Sequence, residues 1–199
     1  MSDMIKDGTG KGYLAAVNKD NQLLVRATAV EQRLESSVDG HYYEATTEVI
    51  TITDAAETNM IYIKNTDTDP NNRIVIDRVF IDIWATTGGT GNGNITYYKN
   101  PTITGGTDIV PVNSNFGDGT DMVGTFKKST TTMTEGTAGV HFWHGSMGVG
   151  SNVVDEGRIV IPPGYSIGIS YTAPASNTSQ KIAINVAMFD IDVSLLGGQ

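Results

Sequence analysis

The chain has no cysteine, only six leucines and seven glutamates, and thirteen basic residues among 199. Without cysteine there is no disulfide framework, no thiolate metal site and no thiol chemistry. The shortage of leucine and glutamate removes strong helix formers, which excludes a helical bundle and disfavours an α/β fold. Thirteen Lys and Arg against 22 Asp and Glu leave a net charge of −9, and the only adjacent basic pair is Lys127–Lys128. A nucleic-acid groove needs clustered cations to neutralise phosphates, so no nucleic-acid partner is expected. No apolar run approaches the ~20 residues that span a bilayer, so no membrane partner is expected. The stretch Met1 to Asp7 lacks the apolar centre of a signal peptide, so classical secretion is not indicated.

What is abundant points one way. Thr (25), Ile (19) and Val (17) fill 61 of 199 positions, and β-branched side chains suit a pleated surface. Twenty-three glycines and 14 asparagines supply turns for many short connections. The expected fold class is all-β: an antiparallel β-sandwich, jelly-roll-like, over 41–199, preceded by an extended arm or hairpin over 1–40. In the arm, Tyr13 to Val17 and Gln22 to Ala27 flank the turn Asn18-Lys19-Asp20-Asn21. Val30, Leu34 and Val38, four apart, fit either a short helix or an extended arm.

In the body, alternation places Ile50, Ile52, Ile61, Ile63, Ile81, Ile83, Ile167, Ile169, Ile184 and Val186 in the core. Within Ile74 to Ala85 the apolar parity switches: Ile74 and Ile76 share one, Val79, Ile81 and Ile83 the other. One extra residue near Asp77-Arg78, a β-bulge, brings both groups to one face. The alternative is a strand covered on both faces, with Phe80 and Trp84 packing outward against a partner. Residues 86–137 read as loop-rich, with polar material from Lys127 to Gly139.

No catalytic constellation is legible, so no enzyme activity and no cofactor is expected. His141-Phe142-Trp143-His144 looks like a metal pair, but on a regular strand positions i and i+3 point to opposite faces. Without a bulge the two rings cannot share an ion, and both read as surface or packing residues. Asp67-Thr68-Asp69-Pro70-Asn71-Asn72 has oxygen ligands at alternate positions but lacks the Gly and Glu of an EF-hand, and reads as a turn. Asp190 and Asp192 read as a solvated strand edge. Tyr97-Tyr98, Phe142-Trp143 and Trp84 offer a stacking platform for a sugar, although aromatics in a sandwich mostly fill the core.

Two stretches carry a resemblance. Residues 7–27, with Gly10-Lys11-Gly12, Ala15, Val17, Asn21 and Leu23 and a polar segment from Glu31 to Tyr43, resemble the opening of structural proteins of tailed-bacteriophage virions. Residues 161–178, with Pro162-Pro163-Gly164, Thr172, Pro174 and Asn177-Thr178, are similar to the ending of phage jelly-roll proteins. The resemblance implies a capsid decoration (cement) protein or head fibre: a non-enzymatic homotrimer on the capsid surface, made in the host cytoplasm, that fastens neighbouring major capsid proteins. The arm residues Tyr13, Leu14, Val17, Leu23, Leu24 and Val25 are then the expected capsid contacts, and Phe80 and Trp84 the expected subunit interface. The alternative is a head-fibre, tail-fibre or receptor-binding module that recognises glycans.

Overall fold

The structure is a computed structural model that describes residues 5–6, 14–17, 23–24, 36–52, 56–87, 92–137, 139–147, 152–155, 159–174 and 179–196. The chain divides into two compact units, residues 1–32 and 33–199. The first holds β1 (Ile5–Lys6), β2 (Leu14–Val17) and β3 (Leu23–Leu24), an antiparallel sheet in that order. Ala16 lies opposite Leu24 and Val17 opposite Leu23, which is the hairpin expected around Asn18–Asn21.

The regular secondary structure described in the second unit is nearly all strand. Its elements are β4 (Tyr42–Thr46), β5 (Ile50–Ile52), β6 (Glu57–Lys64), β7 (Asn72–Thr87), β8 (Gly93–Lys99), β9 (Thr102–Asp108) and β10 (Val112–Asn113). They continue with β11 (Thr125–Thr137), β12 (Val140–Met147), β13 (Asn152–Asp155), β14 (Ile159–Ile161), β15 (Ser166–Thr172) and β16 (Ser179–Asp192), followed by a 3-10 turn at Val193–Leu196. A seven-stranded sheet runs β10-β4-β16-β7-β13, with β5 also beside β16 and β14 also beside β7. A six-stranded sheet runs β12-β8-β15-β6-β11-β9. Every pairing is antiparallel. The long polar stretch from Lys127 is a strand, not a loop, as is Thr102–Asp108. Residues 36–38 make a single helical turn; Val30 and Leu34 lie outside the described residues.

The two sheets meet in one core. Ile81, Ile83, Ile184 and Val186 of one pack with Ile61, Ile63, Tyr97, Ile167, Ile169 and Tyr171 of the other. Each such side chain contributes about 1.5–3 kcal/mol on burial. Of the ten expected core residues nine are buried; Ile50 packs against the cluster partly buried. The parity switch in β7 is resolved by a bulge. Ala187 of β16 lies opposite Arg78 and Met188 opposite Ile76, so Asp77 is the extra residue. Ile74, Ile76, Val79, Ile81 and Ile83 all reach the same core.

Between β4 and β5 the strand breaks at Thr47–Val49 but stays on track. Thr47 N–H donates to Ile184 O and Ile184 N–H donates to Thr47 Oγ1, both at 2.9 Å. At one end of the core Gly93 is required by close approach, since a Cβ there would lie 2.1 Å from the Tyr171 hydroxyl. That hydroxyl, buried, is bonded to Gln180 Oε1. Gly93→Ala is therefore expected to lose about 1–3 kcal/mol through overpacking, read as a lower urea midpoint at unchanged slope. An unchanged midpoint would contradict this packing.

Candidate functional site

The outer face of the seven-stranded sheet is partly apolar. With Val79, Ile81 and Ile83 turned to the core, Phe80, Asp82 and Trp84 point away from it, Phe80 half-buried and Trp84 39 % exposed. Beside them Tyr42, Ala187 and Phe189 form a second buried cluster, flanked by Val75 and Ile191. The Tyr42 and Phe189 rings stack 6.5 Å apart, and the Tyr42 hydroxyl donates to Asp77 Oδ2 at 2.8 Å. The bulge residue thus braces the outer cluster while Ile76 and Val79, on either side of Asp77-Arg78, fill the core.

A groove of about 720 Å³ opens on this face, lined among others by Glu44, Arg78, Phe80, Val112, Phe116 and Asn185. Phe116 stands 93 % exposed at its rim. Short polar side chains build the loop that presents it. Asn113 Oδ1 accepts from Asn115 N–H at 2.9 Å, Asn115 Oδ1 from Gly117 N–H at 3.1 Å, and Asp118 Oδ1 from Thr120 N–H at 2.7 Å. The Thr120 hydrogen bonds also hold the Asp118 carboxyl below its ordinary range. Asn113 Nδ2 and Asn115 Nδ2 reach back to the carbonyls of Gly40 and Val38, at 2.8 and 3.0 Å. Gly40, at φ +76, sits where a Cβ would strike the Asp118 carboxylate. The exposed phenyl ring is therefore held out by a loop that these hydrogen bonds tie to residues 38 and 40.

The outer face of the six-stranded sheet carries a different cluster. His141 lies opposite Tyr98 and His144 opposite Thr96, while Trp143 lies opposite Tyr97. Phe142 is the extra residue, so β12 has a bulge between the histidines. Tyr98 and Thr96 are two apart on β8 and share a face, and so do their partners. The expectation that the two rings face opposite ways is thus corrected: their centroids are 5.8 Å apart. His141 stacks on Tyr98 at 5.0 Å and 3°, and His144 Nδ1 is 3.1 Å from Thr96 Oγ1. The hydroxyls of Tyr98 and Ser170 both donate to Glu57 Oε1. The Thr96 hydroxyl next to an imidazole has the pairing of a nucleophile and base, but Thr96 is only 4 % exposed, which leaves a substrate no approach.

The other expected sites are dispersed. Leu14 and Val17 lie in β2, Leu23 and Leu24 in β3; Tyr13 and Val25 lie outside the described residues. The sugar platform is not assembled: Tyr97 is in the core with Phe142 and Trp143 packed edge-on against it, and Trp84 belongs to the other sheet. In the Asp67 turn, Asp67 Oδ1 accepts from Asp69 N–H and Asp69 Oδ1 from Asn71 N–H, both at 2.8 Å. The Asp69 N–H bond, with the Asn72 side-chain amide, lowers the Asp67 pKa. Asp190 and Asp192 are not a bare edge, since β16 is an interior strand. Asp190 Oδ1 is 3.1 Å from His41 Nδ1, and Asp192 Oδ1 accepts from Ser194 N–H at 2.8 Å. Among the described residues no group of three or more His, Asp or Glu is placed to hold a metal ion. The Phe116 loop and the Phe142 bulge are features that sequence reasoning missed. The chain matches no protein-family model, no curated protein and no solved structure.

Proposed function

We propose that the chain is a non-enzymatic structural protein of a tailed-phage virion, a capsid decoration protein that works as a closed homo-oligomer and fastens neighbouring major capsid proteins. The observation that carries this reading is the outer face of the seven-stranded sheet: Phe80, Val112 and Phe116 line one groove, and Trp84 stands exposed on the same strand as Phe80. An antiparallel sandwich normally leaves one sheet face to water, so such an apolar face supports cover by protein. The strand order supports the jelly-roll part of the reading. With β4/β5 and β13/β14 counted as one strand each and β9–β11 as an insertion, the sheets run 1-8-3-6 and 2-7-4-5, the order of two Greek keys. A net charge of −9 suits a shell surface that repels nucleic acid. Trimeric order comes from the resemblance; physical reasoning favours closed symmetry of some order.

The test combines light scattering with binding to undecorated capsids. The truncation belongs after Gln32, which keeps Val38 and Gly40 for their bonds to Asn115 and Asn113. Loss of decoration by the truncated protein, with oligomerisation retained, is the expected result. Phe80→Asp is expected to weaken oligomerisation by at least about fivefold, an interface residue costing more than about 1 kcal/mol. A monomeric full-length protein refutes the oligomer, and undiminished capsid binding after truncation refutes the role of the arm. Strong signals on a glycan array would favour the receptor-binding alternative.

A further inference from the structure

We infer that His141 and His144 form a two-histidine site for a divalent transition-metal ion on the outer face of the six-stranded sheet. The inference is independent of the virion reading. It begins with the Phe142 bulge, which turns an i, i+3 pair into a same-face pair over Tyr98 and Thr96. Two imidazoles on one ion, each with a bond of about 2.0–2.1 Å, stand roughly 5 Å apart centre to centre. The observed 5.8 Å separation, with the rings at 77°, is within about 1 Å of that spacing.

The surroundings supply what a ligating imidazole needs. Such a ring usually gives its second N–H to an oxygen that fixes tautomer and orientation. Thr96 Oγ1, at 3.1 Å from His144 Nδ1, fits that role, leaving Nε2 to face the ion. His141 is held against Tyr98 by ring stacking, so its orientation is also restricted. Glu57, fixed by the Tyr98 and Ser170 hydroxyls, adds a negative charge to the same face. Both histidines are exposed, which lets an ion enter and water complete its shell. Imidazole nitrogens select zinc, nickel or copper over magnesium and calcium.

The test is calorimetric titration of the full-length chain, free of any histidine tag, with zinc chloride and separately with nickel chloride. One equivalent should bind more tightly than about 100 µM. The chain has three histidines, so imidazole nitrogen NMR resolves the site directly: the His141 and His144 signals should move together while His41 stays. His141→Ala and His144→Ala should each weaken binding at least about tenfold, and Thr96→Val by a smaller factor. Binding weaker than about 100 µM overturns the inference, as do a shift confined to His41 and undiminished affinity in His141→Ala or His144→Ala.

Discussion

Deleting Asp77 is expected to abolish cooperative folding, whereas Asp77→Ala is expected to leave a folded protein. The deletion removes the bulge, and a one-residue slip sends every side chain beyond it to the other face. If Val79, Ile81 and Ile83 keep their places, Ile74 and Ile76 turn outward. Their pairings with Ile161 and Ile159 then present the wrong faces. Losing two buried isoleucines costs about 1.5–3 kcal/mol each before any cavity is counted. A domain of this kind has a total stability of about 5–15 kcal/mol. The point substitution keeps the residue count and loses the Tyr42 hydrogen bond to the carboxylate, at a cost of about 1.5–3 kcal/mol. Urea unfolding followed by fluorescence compares the two. A deletion variant with a midpoint near that of Asp77→Ala would sink the account of the bulge.

Alkaline pH should destabilise the protein strongly, through Tyr43 and Tyr171. Both are almost completely buried, at 1 % and 0 % exposure, and the pKa of each is pushed from 10.0 up to about 12. For Tyr43 burial is the main cause, with the charges of Asp190, Asp118 and Asp121 adding to it. For Tyr171 burial acts against the hydrogen bond to Gln180. Above pH 10 the unfolded chain releases these protons while the folded chain retains them. The folded state then binds more protons, so stability falls as pH rises. The contribution is complete below pH 10 and lost progressively as pH climbs through about 12. It amounts to about 2.7 kcal/mol per tyrosine, of the order of 5 kcal/mol together.

Tyr43→Phe separates the two contributions. The Tyr43 hydroxyl has no hydrogen-bond partner among the described residues. Its removal should therefore raise stability at neutral pH by about 1 kcal/mol and remove half of the alkaline loss. Tyr171→Phe is the poorer control, because it strands the Gln180 amide. Urea midpoints from neutral pH to about pH 12 decide the matter. Equal alkaline losses in the wild type and Tyr43→Phe would show that Tyr43 titrates normally.

The two bulges show what sequence can and cannot disclose. At Asp77 the apolar parity changes within one strand, from Ile74 and Ile76 to Val79, Ile81 and Ile83, and only an extra residue reconciles them. At Phe142 no such change exists: two adjacent large rings, Phe142 and Trp143, sit between two histidines, so neither register is marked. The histidine cluster stayed hidden for that reason. β11 was hidden differently, since its run of Thr and Lys is broken by only two buried apolar side chains, Phe126 and Met133, seven residues apart, which make no alternation. Phe116 is a lone ring among Gly, Asn and Asp, and nothing local distinguishes an exposed phenylalanine from a buried one.

The position of β16 sets the order of events during synthesis. This strand, residues 179–192, lies between β4/β5 and β7 and pairs with both. Until it has left the ribosome, β4 and β7 lack their shared neighbour, and each exposes a row of unpaired amides and carbonyls. The seven-stranded sheet cannot assemble progressively from the amino terminus as a hairpin meander would. The centre of this sheet therefore stays incomplete until residue 192 is made, although β7 can already pair with β13 and β14. Joining Tyr42 to Phe189 closes a loop of well over a hundred residues, so refolding belongs among the slow, millisecond-to-second folders.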